Sequence, residues 1–353
     1  MTPPAARLPP APSHVTNEDG HPRFGTYMGS IDEVDLSRLA GPYHLSLPQR
    51  LLKHKRWLFT FMSTPEVIAV CAISDLTYTA NAFTVVVDLK DKKVVADESF
   101  MGLPGPWAEV GNRPSEGLRA RFRAPGARFG VVRPEGSERV HLGVERTRRL
   151  PFSKPSLSWK GDLLAVGGPP PLTVVSPVLQ DGVVNVTQKW AGLLAFGELS
   201  TQGRRYRLDG GVGGMDYTQG YLARRTSWRW AFANGRLDDG TPIGLNLVEG
   251  FNDTPEANEN AVWMGKELFP VGRACFAYDP REVLDEWRVA TVDGALDLAF
   301  RPYGAHREER DYKVVKSYFA QPVGVFEGRI RVGGRELRVS ELPGVTEDQD
   351  ILW

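Results

Sequence analysis

Glycine and proline punctuate the whole chain, 37 and 27 of them in 353 residues, and leave little room for long amphipathic helices. Short strands joined by turns fill what remains. Runs with strand character fall at 56–62, 67–74, 83–89, 118–124, 129–133, 140–145 and 172–178. They continue at 192–199, 226–233, 243–248, 271–278, 286–292, 296–300, 316–321, 323–332 and 337–342. Asp91-Lys92-Lys93 and Gly333-Gly334 read as hairpin tips, the second the clearer. Few helices are expected, Pro280 opening a short one to 284. The fold class is therefore all-β.

The length suits two domains. A weak internal echo, Arg56-Trp57-Leu58-Phe59 against Trp228-Arg229-Trp230, each followed by an apolar strand, suggests two related halves. The division expected is a disordered lead-in over 1–25, rich in proline from Pro3 to Pro12, then halves at 26–187 and 188–353. Lys plus Arg and Asp plus Glu both number 43, so no chain-wide basic surface is offered to a phosphate backbone and nucleic acid is not an expected partner. The longest apolar run, Val67 to Ile73, is far short of the roughly 20 residues of a membrane span. It reads as one buried strand, and no stable membrane insertion is expected. Only Cys71 and Cys275 are present, each in an apolar run. That argues against a disulfide framework and, with no leader-like start, for the cytoplasm. The six histidines show no ligand spacing, so no metal is expected.

The segment 210–259 gathers most of the residues that could carry chemistry. Gly210, Gly211, Gly213 and Gly214 suggest a sharply shaped loop presenting Asp216 and Tyr217. No Gly-Lys-Ser/Thr follows, so a phosphate cradle is weakly supported and no cofactor is expected. In the strand that follows, period two puts Trp228, Trp230 and Phe232 on one face. Such a face is either ordinary sheet core or the wall of a cavity whose indole rings hold an apolar ligand or stabilise a developing cation. Asp216 in apolar surroundings would have a raised pKa and act as a general acid. Alternatively it holds a turn, or pairs with Arg224 or Arg225. The two arginines could clamp a polar tail of the substrate, although adjacent strand residues face opposite sides. Asn246, Glu259 and Gln321 complete the binding candidates, each with an ordinary turn or cross-strand role as its alternative. No serine elbow, Cys–His context or paired catalytic carboxylates are readable.

These residues resemble those of the bacterial family catalogued as domain of unknown function 2804. The likeness is carried by Lys55-Arg56-Trp57, Ile73-Ser74-Asp75-Leu76-Thr77-Tyr78, Met215-Asp216-Tyr217-Thr218-Gln219-Gly220 and Trp228-Arg229-Trp230. Ile243-Gly244-Leu245-Asn246, Asn258-Glu259-Asn260-Ala261 and Gln321-Pro322-Val323-Gly324 extend it over nearly the whole chain. The resemblance implies two lipocalin-like antiparallel β-barrel halves, akin to carotenoid hydratases and related cyclising and hydrating enzymes. By analogy, Asp216 beside Tyr217 and the Trp228/Trp230 wall would be the catalytic group. Tyr217 stands where the family more often has Trp, a departure that bears on pocket shape.

Two functions follow as expectations. One is a cofactor-independent acid/base enzyme of hydratase, cyclase or isomerase type acting on an apolar small molecule. Its proton would come from Asp216. The other is a non-catalytic carrier or sensor of a lipid-like ligand, with Asp216 ionised and salt-bridged.

Overall fold

The computed structural model describes residues 8–147, 155–311 and 316–353. Among them, 23 strands form two sheets, and every pairing of strands within a sheet is antiparallel. The first sheet has 14 strands. Its main path runs from Lys93–Gly102 through Ala80–Asp88, Val67–Asp75, His54–Ser63, Gly211–Tyr221, Val184–Thr201, Pro155–Leu164, Arg139–Thr147, Ala127–Arg133 and Leu118–Ala124 to Ala108–Val110. The last of these curls back against Val67–Asp75, so the sheet nearly closes into a barrel. Leu58, Met62, Phe122, Phe129, Trp159 and Tyr217 fill its interior.

The second sheet has nine strands and forms a half-barrel. Its order is Glu267–Pro270, Ala261–Met264, Pro242–Glu249, Arg225–Arg236, Arg335–Leu352, Lys316–Val332, Leu296–Asp311, Trp287–Thr291, Ala274–Ala277. The alternation of side chains along Arg225–Arg236 divides the packing. Ala231 and Ala233 join the sheet's own core with Trp287, Phe300 and Phe326, whereas Trp230 and Phe232 join a core shared with Phe59, Phe61 and Phe83 of the first sheet. The rings interlock across that boundary. Phe59 meets Trp230 edge-on at 5.2 Å, Phe61 meets Phe232 at 6.0 Å, and Trp57 stacks on Trp228 at 5.9 Å. A ring as fully buried as Phe61 or Phe232 contributes roughly 2–3 kcal/mol.

The boundary expected at 187/188 does not separate the sheets. Val184–Thr201 and Gly211–Tyr221 both belong to the first sheet, and the change of sheet falls between Tyr221 and Arg225. Nor is the described part of the lead-in disordered: Val15 is buried, Ala11 N donates to the Met28 carbonyl at 2.9 Å, and Met28 N donates to Pro9. Residues 1–7 lie outside the described residues.

The glycine-rich segment is no loop but the buried strand Gly211–Tyr221. A Cβ on Gly213 would sit 2.3 Å from the Phe61 carbonyl oxygen, and one on Gly214 would sit 2.1 Å from that of Trp190. Glycine is required there by close backbone approach; of the four, only Gly210 has a positive φ, 80°. Residues 280–284 form turns in place of the expected helix. Among the described residues an α-helix forms at Leu47–Lys53, just after a 3-10 turn at Gly41–Tyr43, and starts at a capping box in which Gln49 Oε1 accepts from Ser46 N at 2.9 Å. Among the described residues, no helix is long and apolar enough to cross a membrane. Cys71 is buried, Cys275 is exposed, and both are free.

Candidate functional site

The shared core does not fill the space between the sheets. A cavity of about 330 Å³ remains, with its floor on the first sheet and its roof on the second. Strand register sets the floor. Lys189, Asp216, Phe59, Ala72 and Phe83 are successive cross-strand neighbours, and Thr187, Thr218, Trp57, Ser74 and Asn81 form the next row on the same face. The roof follows the same rule: Val248 is opposite Trp230 and Trp230 opposite Glu347, while Trp228 is opposite Gln349 and Gln349 opposite Phe319. Tyr78 and Met101, both lining residues, are 39% and 44% exposed and mark the side on which the cavity opens.

At the closed side lies a buried ion cluster. Lys189 Nζ is 2.7 Å from Asp216 Oδ1 and 3.3 Å from Glu259 Oε1, and it stands 5.6 Å from the centre of the Trp230 ring. Burial works against the Lys189 charge. The Asp216 and Glu259 carboxylates more than offset it and hold the ammonium above the ordinary lysine range. Asp216 Oδ1 also accepts from the Thr187 and Thr218 hydroxyls, both at 3.2 Å. Glu259 is pushed above the ordinary carboxylate range by burial, with Lys189 opposing. Its Oε2 accepts from Asn252 Nδ2 at 2.7 Å. Asn246 braces the group from behind, donating to the Glu259 backbone carbonyl at 2.8 Å and accepting from Trp230 Nε1 at 2.8 Å.

A third carboxyl, Glu347, stands in the roof and has no direct ion pair among the described residues. Its Oε1 accepts from Trp228 Nε1 at 2.6 Å and its Oε2 from Gln321 Nε2 at 2.8 Å. Burial pushes its pKa up to about 7, against the opposing pull of the Trp228 and Gln321 hydrogen bonds; the negative charge of Asp216 adds to the rise. The carboxyl is thus poised to exchange a proton near neutrality, on the wall facing the Lys189–Asp216 pair.

Of the residues singled out from sequence, Asp216, Trp228, Trp230, Glu259 and Gln321 line this one cavity, and Asn246 stands directly behind it. Tyr217 does not. Period two turns it into the filled interior of the first barrel, where its hydroxyl donates to the Gly111 carbonyl at 3.0 Å and to Gln219 Oε1 at 2.6 Å. Arg224 and Arg225 are exposed and outside the lining: Arg225 pairs with Asp350 at 2.8 Å, and Arg224 donates to the backbone carbonyl of Trp353. The sequence reading missed Lys189, Glu347, Trp57 and Phe59. For Lys189 a signal existed, a lone charge in the otherwise uncharged, strand-like stretch from Val183 to Leu194. Glu347 had none, because Thr346-Glu347-Asp348-Gln349 is indistinguishable from a solvated edge yet is buried throughout.

Two antiparallel sheets, one nearly closed into a barrel and the other a half-barrel, enclose an aromatic-walled cavity with ionisable groups at its closed side. The chain belongs to the family described as Domain of unknown function (DUF2804), whose profile matches residues 9–353. No curated protein matches it. Among solved structures, it is similar to kievitone hydratase from Nectria haematococca, with 11% identity over 94% of this chain and 98% of that one and a TM-score of 0.46. It is also similar to CghA with Sch210972, at 10% identity over 85% and 88% and a TM-score of 0.49. A third, from Nitrosomonas europaea and named only as a candidate AttH, has 13% identity over 89% and 98% and a TM-score of 0.48. At such distances the likenesses assign no activity to this chain.

Proposed function

We propose that this protein is an acid–base enzyme that adds water to, cyclises or moves a double bond in an apolar small molecule. The observation that carries the reading is Glu347: a buried carboxyl with a pKa of about 7 in the wall of an aromatic cavity, across from a second carboxyl, Asp216, paired with Lys189. Glu347 replaces Asp216 as the proton donor expected from sequence, and Asp216 becomes the base. Acid, base and cation-stabilising rings are all side chains of the chain, so the reading requires no cofactor.

Glu347 transfers its proton to one carbon of a substrate double bond, whose π electrons form the new C–H bond. The cation left on the neighbouring carbon lies against the Trp228, Trp230 and Phe59 rings. Three discharges are open to it. Asp216 takes a proton from the adjacent carbon, whose C–H electrons form the relocated double bond. A second double bond attacks the cation, its π electrons forming the ring-closing C–C bond, and Asp216 then takes a proton from a carbon beside the new cation, whose C–H electrons form a double bond. Water attacks it, forming C–O, and gives its surplus proton to Asp216. In each case Glu347 ends as carboxylate and Asp216 protonated, and exchange with solvent resets both.

Apolar metabolite extract incubated with the protein in D₂O tests this. Products gain deuterium at the protonated carbon, and the gain disappears with Glu347→Gln and with Asp216→Asn. Equal labelling by both variants would overturn the assignment. The Lys189–Asp216 ion pair is what favours the second reading, a carrier of apolar ligands. A stoichiometric co-purifying molecule in native mass spectra, with no labelling of any compound, decides for it.

A further inference from the structure

Gln321 is fully buried, lines the cavity, and satisfies only half of its amide. Its Nε2 donates to Glu347 Oε2, while its Oε1 has no hydrogen-bond partner among the described residues. Buried side-chain carbonyls are rarely left so, because desolvation is then uncompensated. The carboxylate oxygens of the cavity are themselves acceptors and supply no donor: those of Glu259 face Lys189 and Asn252, and Glu347 Oε1 accepts from the Trp228 indole. The missing donor therefore comes from outside the protein, a water in the empty cavity and a ligand group in the filled one.

We propose that the ligand of this cavity carries a hydroxyl group, seated against the paired side chains of Gln321 and Glu347. The inference rests on the reading that the cavity takes an apolar small molecule, and it names the polar group that molecule must bear. With Glu347 ionised, Gln321 donates to it and offers its carbonyl oxygen to the cavity, so the ligand must donate. With Glu347 protonated, the amide turned over accepts the Glu347 proton and offers its NH₂, so the ligand must accept. A hydroxyl does both. An ether or ketone accepts only, an ammonium donates only, and a carboxylate would bring one more negative charge against Glu347, Asp216 and Glu259.

Calorimetric titration of the full chain with naphthol, naphthyl methyl ether, naphthalene and naphthoate separates these outcomes. Naphthol is expected to bind about tenfold or more tightly than the ether and naphthalene, with naphthoate weakest. In Gln321→Met the naphthol advantage is lost while naphthalene still binds. If that variant does not fold, the series on the unaltered protein decides alone. Equal binding of naphthol and its methyl ether, or tightest binding of naphthoate, overturns the hydroxyl assignment and leaves the apolar cavity standing. Failure of all four to bind, naphthalene included, overturns the cavity reading and this inference with it.

Discussion

The imidazole Nδ1 of His306 lies 2.7 Å from Asp97 Oδ1, and the two residues belong to different sheets. His306 also stacks on Phe83 at 4.5 Å, and its Nε2 is 3.4 Å from Glu308 Oε1, so the seam between the sheets closes around one buried ring. Burial alone would push the His306 pKa down. Asp97 and Glu308 more than offset it and raise it to about 9.

A raised folded-state pKa fixes the sign of the pH dependence. The stabilisation is complete below the unfolded value of about 6.5 and is lost as pH rises through about 9. Because Asp97 is 37% exposed, solvent screening reduces the effect to on the order of 2 kcal/mol. Measured by urea unfolding across that window, the stability of the unaltered protein should fall relative to that of His306→Gln by about this amount. Identical slopes would mean that the seam does not depend on the charged ring.

Lys189 is the cation directly paired with Asp216 and Glu259 in the closed side of the cavity. Lys189→Met keeps the unbranched stem, one atom shorter, and removes its charge, leaving two buried carboxyls facing each other. A loss of about 3–5 kcal/mol is expected by urea denaturation at neutral pH. Adding Asp216→Asn to the same chain should return part of it, since one of the stranded charges is then gone. A double variant no more stable than the single one would show that the pair is not coupled.

Asp216 and Tyr217 are adjacent in sequence and sit on opposite faces of one strand. Tyr217→Phe should cost about 1–2 kcal/mol in unfolding free energy through its lost bonds to Gly111 and Gln219, while leaving naphthol affinity unchanged. A large change in affinity would place Tyr217 functionally in the cavity, contrary to its position.

That contrast also explains what could and could not be read from sequence. Strands with regular alternation were legible: Leu118–Ala124 falls on the predicted 118–124, and the turn at Gly333-Gly334 joins the strands Lys316–Val332 and Arg335–Leu352. The aromatic face of Trp228, Trp230 and Phe232 was legible for the same reason; Trp230 and Phe232 pack as core, and Trp228 and Trp230 also line the cavity. Gly211–Tyr221 was not legible as a strand. Its glycines answer to backbone contacts with Phe61 and Trp190, residues about 150 positions earlier and about 25 earlier in the chain, and nothing local announces them. Period two, applied to Arg224 and Arg225, would have separated Asp216 from Tyr217 had that segment been taken as a strand. Lys189 and Glu347 belong to the site only through the register of distant strands.

The indole N–H of Trp228 is the nearest donor holding Glu347 toward its ionised form, at 2.6 Å from Oε1. Trp228→Phe keeps an aromatic ring beside Trp57 and removes that donor. A hydrogen bond to a carboxylate favours the charged form, so its loss should move the Glu347 pKa upward from about 7, by about one unit. Infrared difference spectra recorded across a pH titration would follow the protonated carboxyl band, identified by its absence in Glu347→Gln. In the proposed reaction, the same variant keeps the acid protonated to higher pH, so the alkaline limb of the labelling activity in D₂O should move upward with it. A shift of the infrared midpoint without any shift of that limb would remove Glu347 from the role of proton donor while leaving its burial and hydrogen bonding intact.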